Sequence, residues 1–182
     1  MAHTLPLVHG RRIHERGVTL VEAAIVISLV GILLAVFLPT FVRNLRASKI
    51  GEAPAHLQTL VEGFARYYPE NECVPAAAAT PDAPSDEPNP IVFQHPDTPG
   101  FETWAALGFE PDRPVRYRYE VIPHIEGCGV RVPPGQVLIT FRAVGDLDAD
   151  GHQSAFEREL TLDEATGRVI DRGLLYVRDR VE

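Results

Sequence analysis

The sequence predicts an α+β chain in which a long N-terminal helix, its first half membrane-spanning, packs on a roughly four-stranded antiparallel sheet. Three observations predict it. Residues 18–38 form one apolar run, and apolar residues then recur at helical offsets as far as residue 68. From residue 115 onward the pattern changes to alternation, over four segments separated by turn residues.

Between residues 23 and 38 there is no charge, and only Ser28 and Gly31 interrupt the aliphatic and aromatic side chains. With residues 18–21 added, the run reaches about 21 residues, enough to cross a hydrocarbon core of roughly 30 Å as a helix. Glu22 stands near its start. An ionisable group in such a span costs about 2.5–3.5 kcal/mol at mid-membrane and by default marks function. The bland alternative is an ordinary anchor whose Glu22 sits shallow enough to stay wet.

The helical pattern continues through residues 39–68. Phe41, Val42 and Leu45 share a face, and Leu57, Leu60, Val61, Phe64 and Tyr68 follow amphipathic spacing. Pro39, and Gly51 with Pro54, are expected kinks, because proline removes a hydrogen bond and crowds the preceding turn. A helix over 18–68 would be roughly 75 Å long at 1.5 Å per residue. Residues 69–182 then form a head. Residues 69–100 hold eight prolines and no periodicity, which favours an irregular or polyproline-like loop. The apolar segment 104–109 is a turn of helix or a cap over the sheet. Strands are expected over 115–122, 136–144, 156–162 and 168–177, with a turn at 163–167. An antiparallel sheet of this kind buries one face and leaves the other wet.

The string Arg16-Gly17-Val18-Thr19-Leu20-Val21-Glu22 resembles the N-terminal signal of type IV prepilins and of type II secretion pseudopilins. In that family a basic leader ends in glycine, a membrane peptidase cuts after it, and the new terminus is methylated. The mature chain carries glutamate at its fifth position and proline at its twenty-second. Counted from Val18, these are Glu22 and Pro39, both in register; Val18 departs from the phenylalanine the family usually has there. The resemblance is strong over roughly residues 11–68. Weaker similarity to pilin-like proteins of deltaproteobacteria lies in Trp104-Ala-Ala-Leu-Gly-Phe109 and Pro114-Val-Arg-Tyr-Arg-Tyr119. It implies residues 1–17 as a cleaved leader, cut between Gly17 and Val18, with Val18 as the methylated terminus. Glu22 and Pro39 would serve assembly. A conventional secretory signal does not fit, since its cleavage site follows a shorter apolar core. Three basic residues flank the span on each side, so the positive-inside rule favours neither orientation. The cytoplasmic placement of the leader therefore rests on the resemblance.

The formal charge is −8. Removing residues 1–17 takes away three arginines and one glutamate, leaving 14 basic against 24 acidic side chains. Such an acidic chain lacks the basic footprint that nucleic-acid binding needs. Cys73 and Cys128 are too few and too far apart for a zinc knuckle or a redox C-x-x-C. In an oxidising compartment they would form one disulfide; the alternative is two reduced core thiols.

A second signal lies in Asp146-Leu-Asp148-Ala-Asp150-Gly151-His-Gln-Ser154-Ala-Phe-Glu157, which fits the calcium-loop pattern D-x-D-x-D-G-x5-E. Calcium takes six to eight hard oxygens, and alternate carboxylates with a mid-loop glycine supply them. Asp146, Asp148 and Asp150 would coordinate by side chain, His152 by its backbone carbonyl, Ser154 through a water, and Glu157 by both carboxylate oxygens. The flanks read as strands, unlike an EF-hand, so the loop is a calcium-type loop on a β-connection. The competing reading is an Asp/Gly turn that tolerates acid. His3, His9, His14, His56, His95 and His124 lack ligand spacing, and no nucleophile elbow, phosphate loop or zinc-protease string occurs. An enzyme is not expected.

The resemblance implies a structural subunit of a type IV pilus-like filament. Its partners would be copies of itself, a prepilin peptidase and an inner-membrane assembly platform, with no nucleic acid. It would be a single-pass inner-membrane protein before assembly, with its head outside the cytoplasm. The alternatives are a pseudopilin of a secretion or DNA-uptake machine, and a single-pass calcium-binding anchored module.

Overall fold

The structure, a computed structural model, describes residues 19–125, 127–133, 135–163 and 165–178. The chain divides into two units, with the boundary between Val42 and Arg43.

The first unit carries most of helix α1 (Leu20–Ile50). Its segment Leu20–Phe41 has a mean hydropathy of 2.7, and none of that apolar stretch is buried within the protein. Leu20 is 86% exposed, Ile27 72% and Phe37 71%. By length and composition this helix can cross a membrane. Two of its hydroxyls are satisfied within it: Ser28 Oγ donates to the Ala24 carbonyl at 2.8 Å and Thr40 Oγ1 to the Val36 carbonyl at 3.2 Å. Such back-bonding lets polar side chains sit in an apolar medium without an unpaired donor.

The second unit is a helix on a sheet. Helix α2 (Glu52–Asn71) buries Leu57, Leu60, Val61, Phe64 and Tyr68, the five apolar positions picked out by spacing. It lies against β3 (Val137–Gly145), β4 (Ser154–Leu162) and β5 (Val169–Arg178). The sheet is an antiparallel meander of five strands in the order β1-β2-β3-β4-β5, with β1 at Ala77–Thr80 and β2 at Arg118–Pro123. Helix α3 (Phe101–Ala106) lies between β1 and β2 in the chain and delivers Trp104 to the core. Phe93, Trp104, Phe109 and Tyr119 meet edge-on or tilted, with centroids 4.8 to 6.1 Å apart, the geometry that ring quadrupoles favour.

Two expectations change. The sheet has a fifth strand, β1, drawn from the proline-rich segment; Ala77 pairs with Val121 and Thr80 with Tyr119. Alanine has little β-preference of its own, so pairing to β2, not local pattern, makes this strand. The helix expected over 18–68 divides into two at Gly51, the place of the kink expected of Gly51 with Pro54. In a continuous helix the Pro54 ring would strike the carbonyl of Ile50. Placed in the first turn of α2, Pro54 lacks only an N–H that has no intrahelical partner anyway. Pro39, by contrast, lies inside α1.

A carboxylate ties α2 to the sheet. Glu52 Oε1 accepts hydrogen bonds from the Arg116 backbone N–H at 2.7 Å, the Tyr117 N–H at 3.2 Å and the Tyr119 hydroxyl at 3.2 Å. Arg116 Nη1 lies 3.7 Å from its other oxygen. His56, one turn on, has Nδ1 2.7 Å from the same Tyr119 hydroxyl. Cys73 and Cys128 are joined by a disulfide that links the end of α2 to the loop after β2.

Candidate functional site

Two places carry the chemistry singled out in the sequence: the head of α1 and the loop between β3 and β4.

At the head of α1, Thr19 is the N-cap and Glu22 the third helical residue. Glu22 Oε2 accepts from the Thr19 backbone N–H at 3.1 Å and from the Thr19 hydroxyl at 2.9 Å. The Glu22 N–H donates back to Thr19 Oγ1 at 3.2 Å. This is a reciprocal capping box, which satisfies N–H groups that the first turn leaves without partners. It is an addition to the roles expected of Glu22, although its signal stands in the sequence: threonine, two residues, then glutamate, ahead of an apolar run. Glu22 thus has a local role in starting the helix, and its carboxylate remains exposed. Gly17 and Val18, the expected cleavage site, lie outside the described residues.

The β3–β4 connection begins where Gly145 pairs with Ser154. Within it, carboxylate oxygens of Asp146, Asp148 and Asp150 all lie within 4.8 Å of one another. Asp146 Oδ2 accepts from the Gly151 N–H at 3.2 Å, and Asp150 Oδ1 from the His152 N–H at 2.7 Å. Asp146 Oδ1 is buried and has no hydrogen-bond partner. Ala149 at φ 58° and Gly151 at φ 89° turn the backbone so that the alternate side chains converge. Two oxygens on one calcium, each at 2.3–2.6 Å, stand at most about 5 Å apart. The three aspartates and the orphaned oxygen of Asp146 therefore fit a hard divalent cation.

Of the other expected ligands, His152 lies in the same loop, whereas Ser154 and Glu157 belong to β4. Glu157 is on β4, in register with Arg142 on β3, and its Oε1 is 2.5 Å from Arg142 Nε. Arg142 also reaches Glu120 Oε2 at 3.4 Å, so the guanidinium sits between two carboxylates across three strands. Ser154 is fully buried, with Oγ directed to the Gly145 carbonyl at 3.4 Å. His152 is exposed. Both residues that a twelve-residue calcium loop adds, Ser154 and Glu157, are paired with β3, to Gly145 and Arg142. One contact had no sequence signal of function. Lys49 Nζ, in the last turn of α1, donates to the Leu147 carbonyl of this loop at 3.2 Å.

No protein-family model and no solved structure matches the chain. It is similar to a curated protein, the type IV major pilin protein PilA of Myxococcus xanthus (strain DK1622), with 31% identity over 117 residues. The match covers 64% of this chain and 41% of that pilin, so the chain spans less than half the length of the relative. The chain thus combines an apolar N-terminal helix and an α+β head with a likeness to a type IV major pilin.

Proposed function

We propose that this chain is a structural subunit of a type IV pilus-like filament and not an enzyme. The observation that carries the reading is the segment Leu20–Phe41, wholly uncovered within the protein and headed by Glu22. An apolar surface of that extent needs lipid or other helices around it. In the proposed sequence of events, a prepilin peptidase at the inner membrane cuts between Gly17 and Val18. The freed Val18 amine becomes a cation at the helix start. On leaving the bilayer through an assembly platform, the subunit buries its apolar helix among those of its copies, and Glu22 pairs with the Val18 amine of a neighbour. The likeness to a type IV major pilin supports this. Mass spectrometry of the purified native chain tests it: a terminus at Val18, with or without a methyl group, is expected. Retention of residues 1–17 would leave only an anchored domain. Shearing of cells then separates a surface filament, released into the medium, from a periplasmic pseudopilus.

As part of the same reading, Asp146, Asp148 and Asp150 hold a structural calcium ion. Its support is the convergence of the three carboxylates and the unpartnered Asp146 Oδ1. An ion that binds only the folded state raises its stability by about 2.7 kcal/mol at 100 times Kd. A melting midpoint that rises in calcium and falls in chelator is expected, and an unchanged midpoint in excess calcium would remove the ion from the proposal.

A further inference from the structure

Lys49 is the only lysine in the chain, beside sixteen arginines. It lies in the last turn of α1, inside the second unit, and its ammonium reaches the Leu147 carbonyl at 3.2 Å. Leu147 stands between Asp146 and Asp148, the first two aspartates of the convergent group. Its side chain is 6% exposed and belongs to the core, against which Ile50, the neighbour of Lys49, also packs. Leu147 is therefore held on two sides, by the core through its side chain and by Lys49 through its carbonyl. The peptide that offers the carbonyl to Lys49 joins Leu147 to Asp148, whose carboxylate belongs to the cluster.

We propose that Lys49 is a positioning residue for cation binding, clasping the 146–152 loop to the last turn of α1 so that occupancy of the loop and docking of that turn are coupled. The inference rests on the calcium reading above. Its physical basis is shared backbone. With a cation bound, the three carboxylates are drawn together and the 146–148 segment takes one conformation, which presents its carbonyl to Lys49. Without the cation, the carboxylates repel one another and the segment opens more often, releasing the ammonium. Coupling of this kind is reciprocal: fixing the carbonyl through Lys49 raises the affinity of the loop for the ion. A lysine suits the task because its ammonium is a compact charge with three rotatable donors, able to meet a single carbonyl head-on.

The sole ε-amine makes a direct test possible. The full chain in detergent is treated with an amine-acylating ester in calcium and in chelator, and modification is followed by mass spectrometry. The chain has only two kinds of amine, its α-amine and the Lys49 ε-amine, so the α-amine serves as the internal reference. Melting midpoints are measured in parallel. If opening exposes Lys49, its acylation rate relative to the α-amine falls roughly tenfold at calcium ten times Kd. A double variant, D148N with D150N, should acylate at one rate in both conditions, and Lys49→Gln should show a smaller calcium-induced rise in melting midpoint than the parent. A midpoint that rises in calcium while Lys49 acylation stays constant would overturn the clasp alone. A midpoint and an acylation rate that both ignore calcium would overturn the clasp together with the calcium reading.

Discussion

Gly63 shows how a single residue sets the approach of two segments. A Cβ at this position in α2 would stand 2.0 Å from the carbonyl oxygen of Leu107. Alanine is favoured over glycine in a helix interior by about 1 kcal/mol. Overpacking a close contact costs about 1–3 kcal/mol, and here the obstacle is backbone, which cannot rotate away as a side chain can. Gly63→Ala should therefore lower the melting midpoint of the full chain, against the helix-propensity trend. A rise would show that the 105–108 turn yields easily. His56 supplies a pH dependence at the same scale. Burial holds its pKa below the ordinary histidine value, opposed by the charges of Glu52 and Asp112. The unfolded chain thus binds this proton more readily than the folded one. Stability from this group is fully present above pH ~6.5 and is lost as pH falls from there through the folded pKa. His56→Asn, which keeps a hydrogen-bonding atom near the Tyr119 hydroxyl, should flatten the fall in melting midpoint between pH 7 and pH 5. A variant that follows the parent curve would assign that slope to other groups.

At the scale of elements, the disulfide closes a segment that contains the proline-rich stretch, β1, α3 and β2, with the two cysteines separated by 55 residues in sequence. Loop-closure entropy for such a span corresponds to about 4 kcal/mol. Cys73→Ser with Cys128→Ser should lower the melting midpoint clearly; an unchanged midpoint would mean that the antiparallel bridge at these residues and the Gly129 N–H to Glu72 carbonyl bond at 2.8 Å suffice. What could be read from sequence follows the same physics. The face of α2 was legible because Leu57, Leu60, Val61, Phe64 and Tyr68 obey one period, and β2 because its buried residues alternate, whereas β3, buried along most of its length, stood out as an apolar run after turn residues. Strand β1 was not, since Ala77, Ala78 and Ala79 carry no alternation and gain their conformation from β2. The interruption at Gly51 depended on Pro54 and glycine acting together, whereas Pro39, in an apolar helix, leaves α1 unbroken. In the β3–β4 loop the aspartates were legible as a spacing. The fate of Glu157 and Ser154 was not, because cross-strand register with Arg142 and Gly145 is a property of two strands at once.

For the whole molecule, Glu22 carries two separable duties, and one substitution distinguishes them. Within the chain it closes the capping box with Thr19. Between chains, in the proposed filament, it supplies the negative charge that meets a neighbour's α-amine. At 4 Å such a pair is worth about 1 kcal/mol in water and about 4 kcal/mol at an effective dielectric of 20. Capping is worth about 0.5–2 kcal/mol and acts on the first turn alone. Magnitudes that overlap cannot be told apart by removing the side chain, since Glu22→Ala deletes both. Glutamine can close a capping box as glutamate does, but carries no charge. Glu22→Gln should therefore be cleaved and inserted normally, keep the parent's head stability, and yield few sheared filaments, close to the yield of Glu22→Ala. If instead Glu22→Gln assembles like the parent while Glu22→Ala does not, the carboxylate matters through Thr19, and subunit stagger must be set by the apolar helix faces. If both variants assemble normally, Glu22 has no part in holding subunits together. The head should report none of these differences, because Glu22 belongs to the first unit and the core that melts belongs to the second.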